Sequence, residues 1–157
     1  MSKAIGNKLP EDLYQRLSGK NLEAYAKTAI LVSTVDTGGW PHPAILSYFE
    51  VIAKDYANVR LAIYRDSATA ANIRRNGKLT MCIIDERIAY YVKGTVAEIA
   101  PQMSSMPFNA KLNLRVEQVL SDEANEEYEK GAYITTGIRY ERPRHPDAAK
   151  LLKELVD

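Results

Sequence analysis

The segment "FNAKLNLRVEQVL", residues 108–120, alternates apolar and polar side chains with a period of two. Phe108, Ala110, Leu112, Leu114 and Val116 fall on one face, and Asn109, Lys111, Asn113, Arg115 and Glu117 on the other. A helix repeats every 3.6 residues and cannot sort this pattern, whereas a strand places one set in a core and the other outside. The segment therefore commits the chain to a sheet, and the sequence must supply strands to pair with it.

It supplies several. "AILVSTV" is β-branched and ends at "DTGGW", a hairpin signal, since glycine takes the positive φ that such turns need. "PHPAILSYFEVIA" reads as the returning strand, with Pro41 and Pro43 at its start or on an edge because neither can donate to a ladder. After the turn "KDYAN", "VRLAIYR" is a third strand with Val59, Leu61 and Ile63 on one face. "KLTMCII" is a continuous apolar run, as for a strand buried on both faces. "IAYYVKGTVAEIA" alternates, with Ile88, Tyr90, Val92 and Val96 opposite Tyr91, Lys93 and Thr95. "AYITTGIRYE" reads as a last strand.

Short helices punctuate these strands. "LPEDLYQRLSG" carries Pro10 and acids at its front and Gly19 at its end, and "NLEAYAKT" has Asn21 as a cap. "DSATAANIRRNG" reads as about two turns, capped by Asp66 or Ser67 and stopped at Gly77. "SDEANEEYEKG" reads as a helix with acids in front, its acidic run a solvated face. "HPDAAKLLKELVD" reads as a C-terminal helix with Pro146 in its first turn and Ala149, Leu152 and Leu155 on one face. Tight turns make the pairing antiparallel. The expectation is one domain over residues 1–157, mostly β, a six- to seven-stranded antiparallel split β-barrel with short flanking helices.

Charge narrows the function classes. The formal net charge is +1, from 21 basic and 20 acidic side chains. That argues against an OB-like nucleic-acid binder, which collects a basic surplus. No apolar run is long enough for a membrane span, and the N-terminus lacks the apolar core of a signal peptide, so a cytoplasmic location is expected. The single cysteine, Cys82, excludes an internal disulfide and reads as a buried apolar residue. His42 and His145 make no metal site by themselves.

The stretches "LVSTVDTGGWPHPAILSYFEVI" and "RLAIYRDSATAANIRRNGKLTMCII" resemble the pyridoxamine 5′-phosphate oxidase-like family of FMN-binding split barrels. Asp36, Gly39, Pro41, Tyr64, Ser67, Asn72 and Gly77 stand at the points of the family pattern. The resemblance implies a homodimer with FMN in clefts between subunits and a small-molecule electron donor or acceptor. It places His42, Pro43, Ala44, Ile45 and Ser47 against the flavin, and Tyr64, Arg65, Ser67, Thr69 and Asn72 around its phosphate. His42 and Ser47 stand where the oxidase itself has arginine and lysine, and Ala68 and Thr69 where an Arg-Lys pair is usual. The function implied is that of a flavin-dependent oxidoreductase other than pyridoxamine phosphate oxidase. The alternative is a non-catalytic binder of flavin, haem or the deazaflavin F420 on the same fold.

Physical chemistry gives each residue a second reading. Phosphate carries about −1.5 to −2 charges at neutral pH and suits a helix N-terminus. Ser67 and Thr69 serve either as caps or as phosphate donors, and Arg65 either as a solvated charge or as a bidentate contact. Asp66 opposes an anion unless it pairs with Arg65, Arg74 or Arg75. Those last two arginines suit the helix C-terminus. Tyr64 reads as a core or interface aromatic, and Trp40 as a shield for the dimer seam or a cover for the flavin edge. An imidazole such as that of His42 is a common general base, but no partner in sequence orients it. Arg139, Arg142 and Arg144 form a basic patch, either surface or a partner's contribution to the cleft.

Overall fold

The computed structural model describes residues 1–143 and 147–157; the expectations for Arg144, His145 and Pro146 lie outside the described residues. Among the described residues, eight strands form one antiparallel sheet: β1 (Ser2–Gly6), β2 (Ala29–Val35), β3 (Pro41–Ser47), β4 (Val51–Ala53), β5 (Asn58–Tyr64), β6 (Lys78–Asp85), β7 (Ile88–Ala100) and β8 (Asn109–Asp122). The helices are α1 (Glu11–Leu17), α2 (Ala68–Asn76) and α3 (Ala148–Val156), with two short 3-10 turns at Leu22–Tyr25 and Tyr48–Glu50. The expected mostly β split barrel with flanking helices is the architecture found. No helix among the described residues is long and apolar enough to cross a membrane.

The strand order is β3-β2-β6-β7-β8-β5-β4, and β1 pairs with the far end of β8. β3 and β4 thus lie on opposite edges of the sheet, although only Tyr48–Glu50 separates them in sequence. A link this short obliges the sheet to curl until its edges approach. "PHPAILSYFEVIA" is therefore not the single strand the sequence reading expects. It breaks where the Glu50 carboxylate accepts both the Ser47 N–H, at 2.7 Å, and the Ser47 hydroxyl, at 2.8 Å. β5 likewise pairs with β8 and not with β3, so it does not extend the β2–β3 hairpin.

The period-two reading of β8 holds up to a bulge: Ala110, Leu112, Leu114 and Val116 are core, and beyond the bulge Val119 takes over the inward position. Phe108 precedes the strand and is exposed. β7 and β8 cross closely at this bulge, where a Cβ on Gly94 would stand 2.0 Å from the Arg115 carbonyl oxygen. In β6 only Leu79, Met81 and Ile83 are buried, while Thr80, Cys82 and Ile84 face outward and are half-buried.

Two further expectations fail for local reasons. Residues 123–131 form turns and no helix, because Asn125 closes one turn with its own carbonyl and side chain, and Gly131 ends it at φ +77°. The acidic run offers no apolar face, and Glu123 and Glu127 repel at helical spacing. "AYITTGIRYE" runs extended but makes only a bridge between Thr28 and Arg139, since β2 is already paired on both sides. β1, by contrast, gives no periodic signal, because all its residues are exposed. In α3 the buried face is Leu151 and Leu155, with Leu152 partly buried and Ala149 exposed. It covers a second small core with Ile52, Ala62 and Met103.

Asp85 ties three segments together. It pairs with Arg16 of α1 at 2.8 Å and accepts the N–H groups of Glu86 and Gly137. Burial would push its carboxyl up, but Arg16 and those donors outweigh burial and hold it below the usual carboxylate range. A depressed folded pKa gives stability that is present above the unfolded value of about 4 and is lost as pH falls through the folded one. Asp85→Asn should therefore be less stable than the parent in urea melts at pH 7, with the gap narrowing toward pH 3. A gap independent of pH would remove this role from Asp85.

Candidate functional site

The end of β5 and the start of α2 build a tight corner. Tyr64 pairs with Asn109, the Arg65 N–H donates to the Phe108 carbonyl at 2.8 Å, and the Ser67 N–H donates to the Tyr64 carbonyl at 3.1 Å. Ser67 is extended, at φ −80° and ψ 157°, and its hydroxyl oxygen accepts the Ala70 N–H at 3.1 Å. It is thus the helix cap, and Asp66 is not. At the other end Gly77 takes φ +67°, and its N–H closes onto the Ile73 carbonyl. α2 touches β2, β3, β5, β6 and β7, so it plugs one end of the barrel with its N-terminus at the rim.

That rim suits an anion in part. Ala68 and Thr69 are the first helical residues, so the helix itself offers their N–H groups no carbonyl, and the dipole's positive end adds to them. Arg65 stands beside them, 3.5 Å from the Asp66 carboxylate and 2.8 Å from the Gln102 side-chain oxygen. The side chains of Arg65 and Asp66 remain 40% and 70% exposed, so water screens their attraction and both can turn toward a ligand. Arg74 donates to the Arg65 carbonyl and pairs with Glu98 at 2.7 Å, which braces the corner from behind. Arg75 bonds Asn72 and the Val35 carbonyl. Both arginines lie in the last turn of α2, as the sequence reading expects, and their guanidinium groups also hold the corner and the end of β2.

The expected site residues divide by burial. Tyr64 is 54% exposed and Ile45 60% exposed. Pro43 is exposed as well, while Arg65 and Ser67 are half-buried at the rim. His42 and Ala44 are half-buried on β3, with His42 opposite Thr34. Ser47, Thr69 and Asn72 are buried. Ser47 belongs to the Glu50 corner. Asn72 is 4% exposed; it donates to the Thr34 hydroxyl at 2.9 Å and accepts from Arg75 at 3.1 Å, fastening α2 to β2. β3 is an edge strand that pairs only with β2, and Pro41 and Pro43 lower its donor count so that it is a poor template for another strand.

Several residues around the site carry no expectation from sequence. Glu50 is one, although the S-x-x-E spacing of Ser47 and Glu50 is a capping-box signal. Gln102 and Glu98 are others, and nothing near Arg65 or Arg74 in sequence announces them. Cys82 is half-buried on the outward face, and burial pushes its thiol up, so it is protonated and a poor nucleophile at neutral pH. Trp40 is exposed at the hairpin turn, and Arg142 lies over the Phe49 ring at 5.8 Å.

Residues 20–142 match the pyridoxamine 5′-phosphate oxidase family. An uncharacterised Bacillus subtilis protein, YclD, is 32% identical over 133 residues, which cover 85% of this chain and 83% of the relative. Two crystal structures share the fold. A candidate pyridoxamine 5′-phosphate oxidase from Lactobacillus delbrueckii superposes with a TM-score of 0.60 at 22% identity, over 76% of this chain and 98% of its own. An FMN-binding protein from Syntrophomonas wolfei superposes with a TM-score of 0.53 at 14% identity, over 73% and 92%.

Asn72→Ala leaves the buried Thr34 hydroxyl without its donor. It should lower the unfolding free energy by about 1–3 kcal/mol in denaturant melts. An unchanged midpoint would mean that Asn72 is not a fastening residue.

Proposed function

The chain belongs to the pyridoxamine 5′-phosphate oxidase family, and from that premise we propose that it is a homodimeric FMN-binding flavoprotein that passes electrons between a small-molecule donor and acceptor. The observation that carries this reading is the open N-terminus of α2 at the barrel rim, with Ser67 capping it and Arg65 beside it. When bound, FMN supplies the redox chemistry, and the protein supplies binding, orientation and electrostatics.

The residues present fit a phosphate tail. The N–H groups of Ala68 and Thr69, the Ser67 hydroxyl and the Arg65 guanidinium would hold it. Thr69 would act through its backbone, since its side chain is buried. The exposed Pro43, Ile45 and Tyr64 offer apolar surface for a flat ring. Asp66 opposes the phosphate, and its ion pair with Arg65 offsets part of that repulsion. Ser47 is engaged by Glu50 and has no ammonium group to offer, and His42 replaces an arginine. Both features support a substrate other than pyridoxamine phosphate.

The outward face of the sheet supports the dimer. Register aligns Ile45, Leu31, Cys82, Tyr91 and Leu120 in one row across β3, β2, β6, β7 and β8. Their outward sides are only half-buried or exposed. The continuous apolar run of β6 makes sense if a second copy covers this face.

Purified protein mixed with FMN and desalted should keep the flavin bands near about 375 and 450 nm. A bare spectrum, a Soret band or a deazaflavin band would each overturn FMN as the cofactor. Asp66→Asn should tighten FMN binding by roughly two- to fivefold, and Arg65→Ala should weaken it, with the dimer intact in both. Ile45→Asp should give a monomer by sedimentation and lose FMN with it. A dimeric Ile45→Asp variant would exclude the proposed face.

A further inference from the structure

One patch of the outward face differs in chemistry from the apolar row. Two residues along each strand, register sets Ser33, Thr80, Lys93 and Gln118 side by side across β2, β6, β7 and β8. Neighbouring strands lie about 4.8 Å apart, so these four side chains form one continuous row across the face. None of them has a hydrogen-bond or ion-pair partner among the described residues. The next row is Lys78, Thr95 and Arg115. There Thr95 donates to Glu117 at 2.6 Å and accepts from Lys78 at 3.5 Å. Three cations thus meet one carboxylate, in a chain whose overall charge is only +1.

The surface is concave here. A cavity of about 440 Å³ lies here, with Ser33, Lys78, Thr80, Lys93, Glu117 and Gln118 as its main polar lining and Val35, Pro41, Leu79 and Gly94 at its walls. That volume lies within the range of small-molecule sites. Its polar groups are two ammonium groups, the Ser33 and Thr80 hydroxyls, a carboxamide and one carboxylate, Glu117, which already accepts the Thr95 hydroxyl, so cations outnumber anions by two to one. An unpaired ammonium beside unpaired hydroxyls in a hollow matches a compact dianion with several acceptor oxygens. The patch lies beside Gly77, at the opposite end of α2 from Ser67, so it is separate from the rim described above.

We propose that this hollow is a binding site for a phosphate monoester, with Lys93 as its principal charge contact and Ser33, Thr80 and Gln118 as neutral donors. Lys78 adds long-range attraction. The site needs no flavin, and its test is independent of the flavin reading.

The test uses the full chain and inorganic phosphate, followed by glycerol phosphate, at ionic strength matched with sodium chloride. Amide NMR titration should move Ser33, Thr80, Lys93 and Gln118 together in the wild type and equally in Ser67→Ala, which removes the hydroxyl donor and cap of the α2 rim. Lys93→Met should weaken binding at least about tenfold, and Lys93→Arg should stay within about threefold of the parent, since both keep or remove one charge-assisted contact. The proposal is overturned if Lys93→Met binds as the wild type does, or if Ser67→Ala abolishes the effect. It is overturned equally if a second copy seals the face so that phosphate moves none of these amides. Thermal melts of each variant without phosphate separate lost binding from lost folding.

Discussion

The Glu50 carboxylate on Ser47 is the contact on which the architecture turns. It accepts the backbone N–H and the hydroxyl of the same residue, and it ends β3 and starts a single 3-10 turn. Without that stop the apolar run from Ala44 to Ala53 could continue as one straight strand on one edge of the sheet. With it, the chain leaves one edge and joins the other within three residues, and the intervening five strands of the path have to curve to allow this. The bulge near Gly94 and the close β7–β8 crossing supply the extra twist that such curvature demands.

Curling leaves an open end, and α2 fills it. Its burial of Thr69, Ala70, Asn72 and Ile73 fixes its angle, and the Asn72–Thr34 bond fixes its rotation. The consequence for function is that the helix N-terminus cannot move away from the rim. A mouth held in this way keeps unpaired N–H groups oriented before any ligand arrives, which is what anion recognition needs. The chain's own chemistry there is balanced: Arg65 attracts, Asp66 repels, and Gln102 and Arg74 steady the corner. A site of this kind binds through geometry more than through charge.

The outside of the barrel carries two surfaces of opposite character a few ångströms apart. The row from Ile45 to Leu120 is apolar and the row from Ser33 to Gln118 is polar and cationic. Both arise from the same period-two alternation, because every second residue of β2, β6, β7 and β8 must face out. Apolar side chains gain by excluding water, and unpaired ammonium groups lose by it, so one partner cannot satisfy both rows in the same way. On the readings proposed above, the apolar row suits contact with a second copy and the polar row suits a solvated anion.

The sequence by itself determined the local choices. The alternation in residues 110–116, the Asp36–Gly39 turn, the Ser67 cap and the Gly77 stop are all consequences of side-chain period, positive φ and short-range hydrogen bonds. Those effects act within a few residues, so they are legible in one dimension, and they sufficed for a split barrel and for the α2 rim as a candidate site. The family pattern named ten positions around it, and only tertiary structure decided what each could touch. Asn72 turns to Thr34, Ser47 to Glu50 and Arg65 to Gln102. The missing last strand and the unexpected β1 have the same origin. Whether an extended segment becomes a strand depends on a free neighbouring edge, and edge availability is a property of the assembled sheet that no segment carries within itself.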